Sequence, residues 1–424
     1  MSATGGYGAA APRRRLVIRA ETLREGLVAL AVVSGFFVMY EPAPYDLLFI
    51  VAIGLFAATG LTLPRMLLPF LLLVILYQLG AVLTLTLVLD RANTMKWTVV
   101  GVFLAGTGVF YALFLAERTG IRARLIANAW VIAGACGGAL AIVGYFHLAP
   151  GSDKLLIFGR AKATFKDPNV FAPYLIFPAL ILIQRLYATD HLKRAAFMLV
   201  PLGLIMSGIF LSFSRGSWGH LIASAALMTG LTILASPTPA RRARILLICG
   251  AAALGAALLI AVLLSMPSVS SLFAERASLE QNYDVGRYGR FARHIAGAQL
   301  AFDKPFGIGI YQFAKIFGAD VHNTYLNAFM SYGWLGGLAL PTLVILTFVY
   351  CVRYVLAPAP WRPIFICAFS TWAVLMMEAW VIDVDHWRHQ WALLGMCWGF
   401  IVATAKHVQT NDAGAPAPVR RLVG

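Results

Sequence analysis

The chain has 424 residues, 60% of them hydrophobic and only 12% charged, with a mean hydropathy of +0.79 and a net charge of +16. Soluble domains carry about 25% charged residues, so this composition excludes an ordinary water-soluble fold and reads as a polytopic membrane protein. It also removes nucleic acid as the default partner, because bulk positive charge means little until the basic residues are placed relative to a bilayer.

Residues 1–24, with Arg13, Arg14, Arg15, Arg19 and Arg24, read as a cytoplasmic tail. The apolar run that follows has no small-residue cleavage site, so it reads as an uncleaved anchor. A helical crossing takes roughly 17–25 apolar residues. Such segments fall at about 25–40, 45–62, 66–88, 97–116, 124–147, 168–187, 195–213, 217–235 and 245–265, then at 324–352, 363–382 and 389–405. The expected fold is therefore all-α, with about twelve transmembrane helices: nine within 25–265 and three within 323–405. The interval 266–322 is the longest polar passage and reads as a large water-facing outer loop containing short helices, the expected place of the protein's work. Residues 406–424 read as a cytoplasmic tail, with low-complexity ends at 1–12 and 408–424 expected to be disordered. The segment from 324 is long for one crossing and contains Gly333, Gly336, Gly337 and Pro341. It is expected to begin as a short helix and break before the main span, which is tolerated where the backbone is buried or lines a cavity.

With the N-terminus inside, twenty of the 34 basic residues fall on inner segments and four on short outer turns. This satisfies the positive-inside rule and puts both termini on the inner, cytoplasmic side. The other ten lie in two outer loops, at about 148–167 and 266–322, and it is these that a function has to explain. The five cysteines all sit in apolar runs without metal-type spacing and read as small buried side chains.

In the first outer loop Lys154, Arg160, Lys162 and Lys166 precede Asp167-Pro168-Asn169, a helix start with a capping Asp and a Pro in the first turn. Arg215 stands alone in FLSFSRGSWGH at the membrane edge, where an arginine either snorkels or meets an anionic partner. Ser214, Gly216 and Ser217 would let a ligand approach the backbone closely. Arg287, Arg290 and Arg293 are spaced by three, near one face of a helix, with Asp284 the nearest acid; a solvated cationic face is the plain alternative. His322-Asn323-Thr324 opens the next segment, where a histidine at a helix start stays neutral. The turn IDVDHWRHQ holds Asp383, Asp385, His386 and His389, but at no trusted ligand spacing, so no metal is expected. No phosphate-binding glycine loop, no nucleophile elbow and no pair of loop carboxylates with acid/base spacing is evident.

Several arginines, a neutral histidine and no metal at the outer face suit one chemistry. A guanidinium grips phosphate bidentately and stays charged. A prenyl-diphosphate sugar places its phosphates at this level, and its leaving diphosphate needs cations rather than an acid. A histidine can then take the proton of an attacking hydroxyl.

Three blocks carry a family resemblance: TFKDPNVFAPYL (164–175), SFSRGSW (212–218) and GRFARHIAGAQLAFDKPFGIGIYQF continuing to HNTYLNAFMSYGWLGG (289–337). Together they resemble the O-antigen ligase and polysaccharide polymerase superfamily, membrane enzymes that use undecaprenyl-diphosphate-linked glycans at the periplasmic face. The resemblance implies a lateral, lipid-facing cavity roofed by the outer loop, with no cofactor, metal or nucleotide sugar. It makes Arg215 and Arg290 the diphosphate-binding arginines, His322 the activator of the acceptor hydroxyl and Arg160 an assistant at the lipid phosphate. The family commonly has an aromatic residue four positions after the loop arginine. Here that position is His294, so Arg287 or Arg293 could take the role instead. For the ligase branch the resemblance also implies inversion at C1. The expected activity is transfer of a glycan from undecaprenyl diphosphate to a sugar hydroxyl, in exopolysaccharide or O-antigen polymerisation. Alternatives are ligation onto lipid A–core, a lipid-linked glycan transporter, and a scaffold subunit of an envelope complex.

Overall fold

The computed structural model describes residues 20–88, 90–277 and 289–413. Within them the chain is almost wholly helical, because long apolar runs without water to bond their backbone must satisfy it internally. The helices are α1 (Ala20–Ser34), α2 (Pro44–Thr59), α3 (Leu68–Thr84), α4 (Arg91–Ala116), α5 (Thr119–Tyr145), α6 (Pro168–Ala188), α7 (Leu192–Leu211), α8 (Arg215–Leu234) and α9 (Pro239–Leu264). Next come the short α10 (Pro267–Ala277), α11 (Arg290–Asp303) and α12 (Phe313–Phe317), and then α13 (Thr324–Tyr354), α14 (Arg362–Glu378) and α15 (Arg388–Ala413).

Each of the twelve expected crossings falls on one helix. Among the described residues nine are long and apolar enough to cross a membrane: α3 to α9, α13 and α15. The other three, α1, α2 and α14, have 15, 16 and 17 residues. The first segment is shorter than its sequence pattern. It stops at Ser34, where Gly35 lies so close to Tyr174 that a Cβ would stand 3.2 Å from the phenol oxygen. The chain beyond pairs with the first motif block instead, Val38 N–H donating to the Thr164 carbonyl at 3.1 Å. At the other end α15 runs on to Ala413, into the segment read as a tail.

α6, α14 and α15 form the middle of the bundle, and their side chains are buried almost all round. α3 packs on α13, α4 on α15, and α5 on α7. Small residues permit close crossings: a Cβ on Gly108 of α4 would meet the Trp391 carbonyl of α15 at 2.9 Å. α9 is the opposite case. Only Ile245 and Leu263 are buried in it, so most of its apolar surface faces outward, as lipid permits.

Two features depart from a plain helical bundle. A small antiparallel hairpin, β1 (Leu156–Ile157) and β2 (Arg160–Ala161), follows α5. Its two-residue turn, Phe158-Gly159, has φ of 50° and 70°, the left-handed pair that suits a tight hairpin. Inside α13, Gly333 adopts φ 65°, ψ −175° and divides the helix in two, the break expected from its glycines. The turn Pro305–Gly307 inserts there. Ile308 N–H bonds the Met330 carbonyl at 2.6 Å, and Trp334 N–H bonds the Pro305 carbonyl at 2.8 Å. The backbone groups freed by the break are satisfied by the preceding loop.

Candidate functional site

A cavity of about 290 Å³ lies where the α12–α13 connection meets the turn between α14 and α15. His322, Asp320, Asp383, Asp385, Asn327 and Trp387 are among its walls, with Asp167 and Asn169 from the start of α6 closing one side.

His322 is built in by its backbone. It has φ 52°, a conformation costly for a residue with a Cβ and one that persists only where the surroundings impose it. The imposing group is Asp383, whose two carboxylate oxygens accept the N–H groups of His322 and Asn323 at 3.1 Å each. The Asn323 side chain in turn caps α13, accepting from Tyr325 and Leu326 N–H at 3.1 and 3.0 Å. Thr324 fastens the same point to the next turn: its hydroxyl donates to the Ile382 carbonyl and accepts from Val384 N–H, both at 2.9 Å. The half-exposed imidazole thus faces the cavity with its Nδ1 3.7 Å from Asp383.

Around it the wall is acidic. Burial and the nearby charge of Asp383 push the Asp320 carboxyl above its ordinary value, against the opposing pull of His322 and Arg293. Asp385 is buried and accepts from Tyr332 at 3.0 Å and Asn327 at 3.3 Å, while His386 Nδ1 stands 3.1 Å from its other oxygen. Burial alone would raise that carboxyl, but the His386 charge and these hydrogen bonds outweigh it and hold it below the usual range. By the same pairing His386 is held above an ordinary histidine despite its burial. Tyr311 completes the wall, its phenol pushed up by burial and by the surrounding carboxylates.

Two of the three motif blocks are tied together beside this cavity by Arg160. Its Nε donates to the Ser212 carbonyl at 2.8 Å, and one terminal nitrogen donates to Asn169 Oδ1, also at 2.8 Å. Asn169 is set by Asp167, which caps α6 and accepts the Asn169 N–H at 2.6 Å, the role expected of Asp-Pro-Asn. Arg160 therefore braces the turn carrying Arg215 against the cavity wall. Its neighbours are structural too: Lys166 pairs with Glu41 at 2.6 Å, and Lys162 donates to the Phe165 carbonyl at 3.1 Å. Burial lowers the Lys162 ammonium.

Arg215 is the half-buried first residue of α8, following Phe213 at φ 48°. Behind it a buried pair, His220 Nδ1 to Glu378 at 2.8 Å, presses a carboxylate against the first turn of α8. A Cβ on Gly216 would stand 2.6 Å from the Glu378 oxygen, so the glycine lets an anion sit at a helix start that has no side-chain cap.

Arg290 opens α11, with only its backbone described, and Arg287 lies outside the described residues. Arg293 is near enough to the cavity for its charge to be felt at Asp320. Neither Arg160 nor Arg215 lines the cavity itself.

Sequence reading missed the carboxylates. Asp383 and Asp385 had been weighed only as metal ligands, and among the described residues no group of three or more His, Cys, Asp or Glu is arranged to hold an ion. The signal was present in the composition: 18 acids in 424 residues make two aspartates beside a histidine an unusual turn.

Fold and site together define an α-helical, multispanning membrane protein with a polar cavity at the ends of its helices. Beyond that class, no protein-family model matches the chain and no curated protein matches it.

Proposed function

We propose that the protein is a membrane glycosyltransferase, moving a glycan from a polyprenyl diphosphate, undecaprenyl diphosphate by the resemblance, to an acceptor sugar hydroxyl. On this reading all twelve apolar helices cross a bacterial inner membrane, both termini are cytoplasmic and the cavity faces the periplasm. The acceptor is another lipid-linked glycan, in surface-polysaccharide polymerisation; ligation to lipid A–core uses the same site with a different acceptor.

One observation carries the reading. A histidine fixed by a carboxylate faces a cavity of about 290 Å³, and the braced turn of Arg215 abuts its wall. That volume is near the lower end, about 300 Å³, of small-molecule pockets. Carboxylates, Asn327 and the Trp387 and Tyr311 rings offer the hydrogen bonds and flat apolar faces that a sugar ring presents itself to. Arg160 and the turn carrying Arg215 stand to one side, where the lipid diphosphate would lie.

The chemistry follows from that division. His322 takes the proton of the acceptor hydroxyl as its oxygen attacks C1, and the imidazolium formed is stabilised by Asp383 and Asp320. The C1–O bond to the diphosphate breaks as the new glycosidic bond forms. The charge released on the leaving phosphate is met by Arg215 and by Arg290 or Arg293. Arg160 holds the Arg215 turn in register, within reach of the lipid phosphate.

The test is purified protein in lipid with a polyprenyl-diphosphate glycan and an acceptor. Transfer without nucleotide sugar, ATP or divalent cation is the expected result; movement of the donor between leaflets with no new glycosidic bond would make the protein a transporter. In the organism, deletion that shortens surface chains indicates polymerisation, and full-length chains missing from core indicate ligation.

A further inference from the structure

The end of α15 away from His322 carries a second cavity, of about 500 Å³. It lies some 27 Å along the helix axis from Arg388, at about 1.5 Å per residue. The end of α4, the start of α5, the Pro360–Trp361 turn before α14 and the last turns of α15 border it, and it is broadly open to the outside. Arg118, Arg124, Lys406 and His407 line it, and among the described residues no carboxylate does.

The charges differ in how they are used. Arg118 is spoken for, paired with Glu21 and with Glu25 at 3.3 Å. Arg124 and Lys406 form no ion pair with any described residue. Like charges drawn together at one opening repel unless an anion joins them, and Arg124 and Lys406 come to this opening from different helices, α5 and α15, that touch each other. α5 adds to the field, since it begins at this cavity with no side-chain cap and its residues Thr119, Gly120 and Ile121 line it. The common chemistry is a phosphate-bearing anion.

The position narrows the source. α4, α5 and α15 are each long and apolar enough to cross a membrane, so their shared end lies at headgroup level. Trp361 is on the wall, where an amphipathic ring suits the interface, and the exposed Ile121 borders it. Basic pockets between helix ends are where acidic headgroups bind. We propose that this cavity holds the phosphate of an anionic phospholipid between Arg124 and Lys406, a site separate from the glycan cavity and independent of the reaction proposed there.

The experiment uses the full chain in detergent, stripped of lipid and titrated with phosphatidylglycerol, phosphatidylcholine or inorganic phosphate, with binding read by native mass spectrometry. Arg124→Ala with Lys406→Ala should weaken phosphatidylglycerol binding about tenfold or more while leaving phosphatidylcholine unaffected. The melting temperature without lipid should not move, since both side chains are exposed. Lys193→Ala with Arg241→Ala, exposed at other helix starts, should bind as the wild type does. Arg124→Gln alone provides a milder second variant, with a smaller loss in the same direction. Unchanged phosphatidylglycerol binding in the Arg124/Lys406 variant, or an equal loss in the Lys193/Arg241 variant, overturns the site. Inorganic phosphate that binds as tightly as the lipid overturns the headgroup assignment and makes the ligand a free phosphate compound.

Discussion

His322 shows how a single side chain is prepared by its backbone. Its left-handed φ costs on the order of 1–3 kcal/mol for a residue with a Cβ, and the two N–H bonds to Asp383 offset it. If the imidazole is the base, His322→Ala lowers transfer by about 10²–10⁴-fold with expression intact. Asp383→Ala should lose both activity and melting temperature, because it removes the clamp as well as the charge; an assay at wild-type rate in either variant removes His322 from the mechanism. Asp320 gives a pH test with a definite sign. Its carboxyl is raised in the folded protein, so the folded state favours the protonated form. The associated stability is present below the ordinary aspartate range and is lost as pH rises through the raised value. Asp320→Asn is therefore expected to raise the melting temperature near pH 7.5 and to change it little near pH 4.

At the scale of the element, the break in α13 decides where His322 sits. Gly333 lies at φ 65°, and a Cβ there would stand 2.7 Å from the Phe306 carbonyl carbon and 2.9 Å from the Pro305 oxygen. Both strain and overlap oppose any side chain. Gly333→Val is expected to cost at least about 1–3 kcal/mol, seen as a lower melting temperature in detergent. Transfer should fall with it, since the first half of α13 carries the Asn323 cap and the loop it anchors. The same reasoning applies to α8 in milder form. Gly216→Ala must displace the Glu378 carboxylate from the helix start, so transfer should drop several-fold at unchanged expression, about what 1 kcal/mol implies.

Across the whole molecule, the sites divide by charge. Carboxylates gather around His322, while Arg160 and Arg215 lie outside that cavity's lining, Arg160 tying the Arg215 turn to its wall. Arg215→Lys is expected to lower transfer by about 10²–10³-fold, because an ammonium keeps the charge but not the two-pronged geometry. Activity should persist in a chelator; loss restored by a divalent cation would return the Asp383–His389 turn to consideration as a metal site.

Much of this was legible in the chain. Apolar segments marked where helices would form, since length and hydropathy are local quantities and a backbone without water has few alternatives. The Asp167 cap, the glycine break in α13 and the grouping of short helices in 266–322 followed from local chemistry in the same way. Other features depended on partners far along the sequence. The hairpin that delivers Arg160 is set by a two-residue turn too short for hydropathy to register. Asp383 lies 60 residues from the backbone it clamps, and Arg160 reaches 52 residues to Ser212. By itself the sequence determined a helical membrane protein with two basic polar stretches between its apolar segments, because composition and periodicity act locally. Which carboxylate holds the histidine, and which arginine braces the neighbouring turn, were decided only by tertiary packing, because hydrogen bonds between distant segments exist only once the helices have come together.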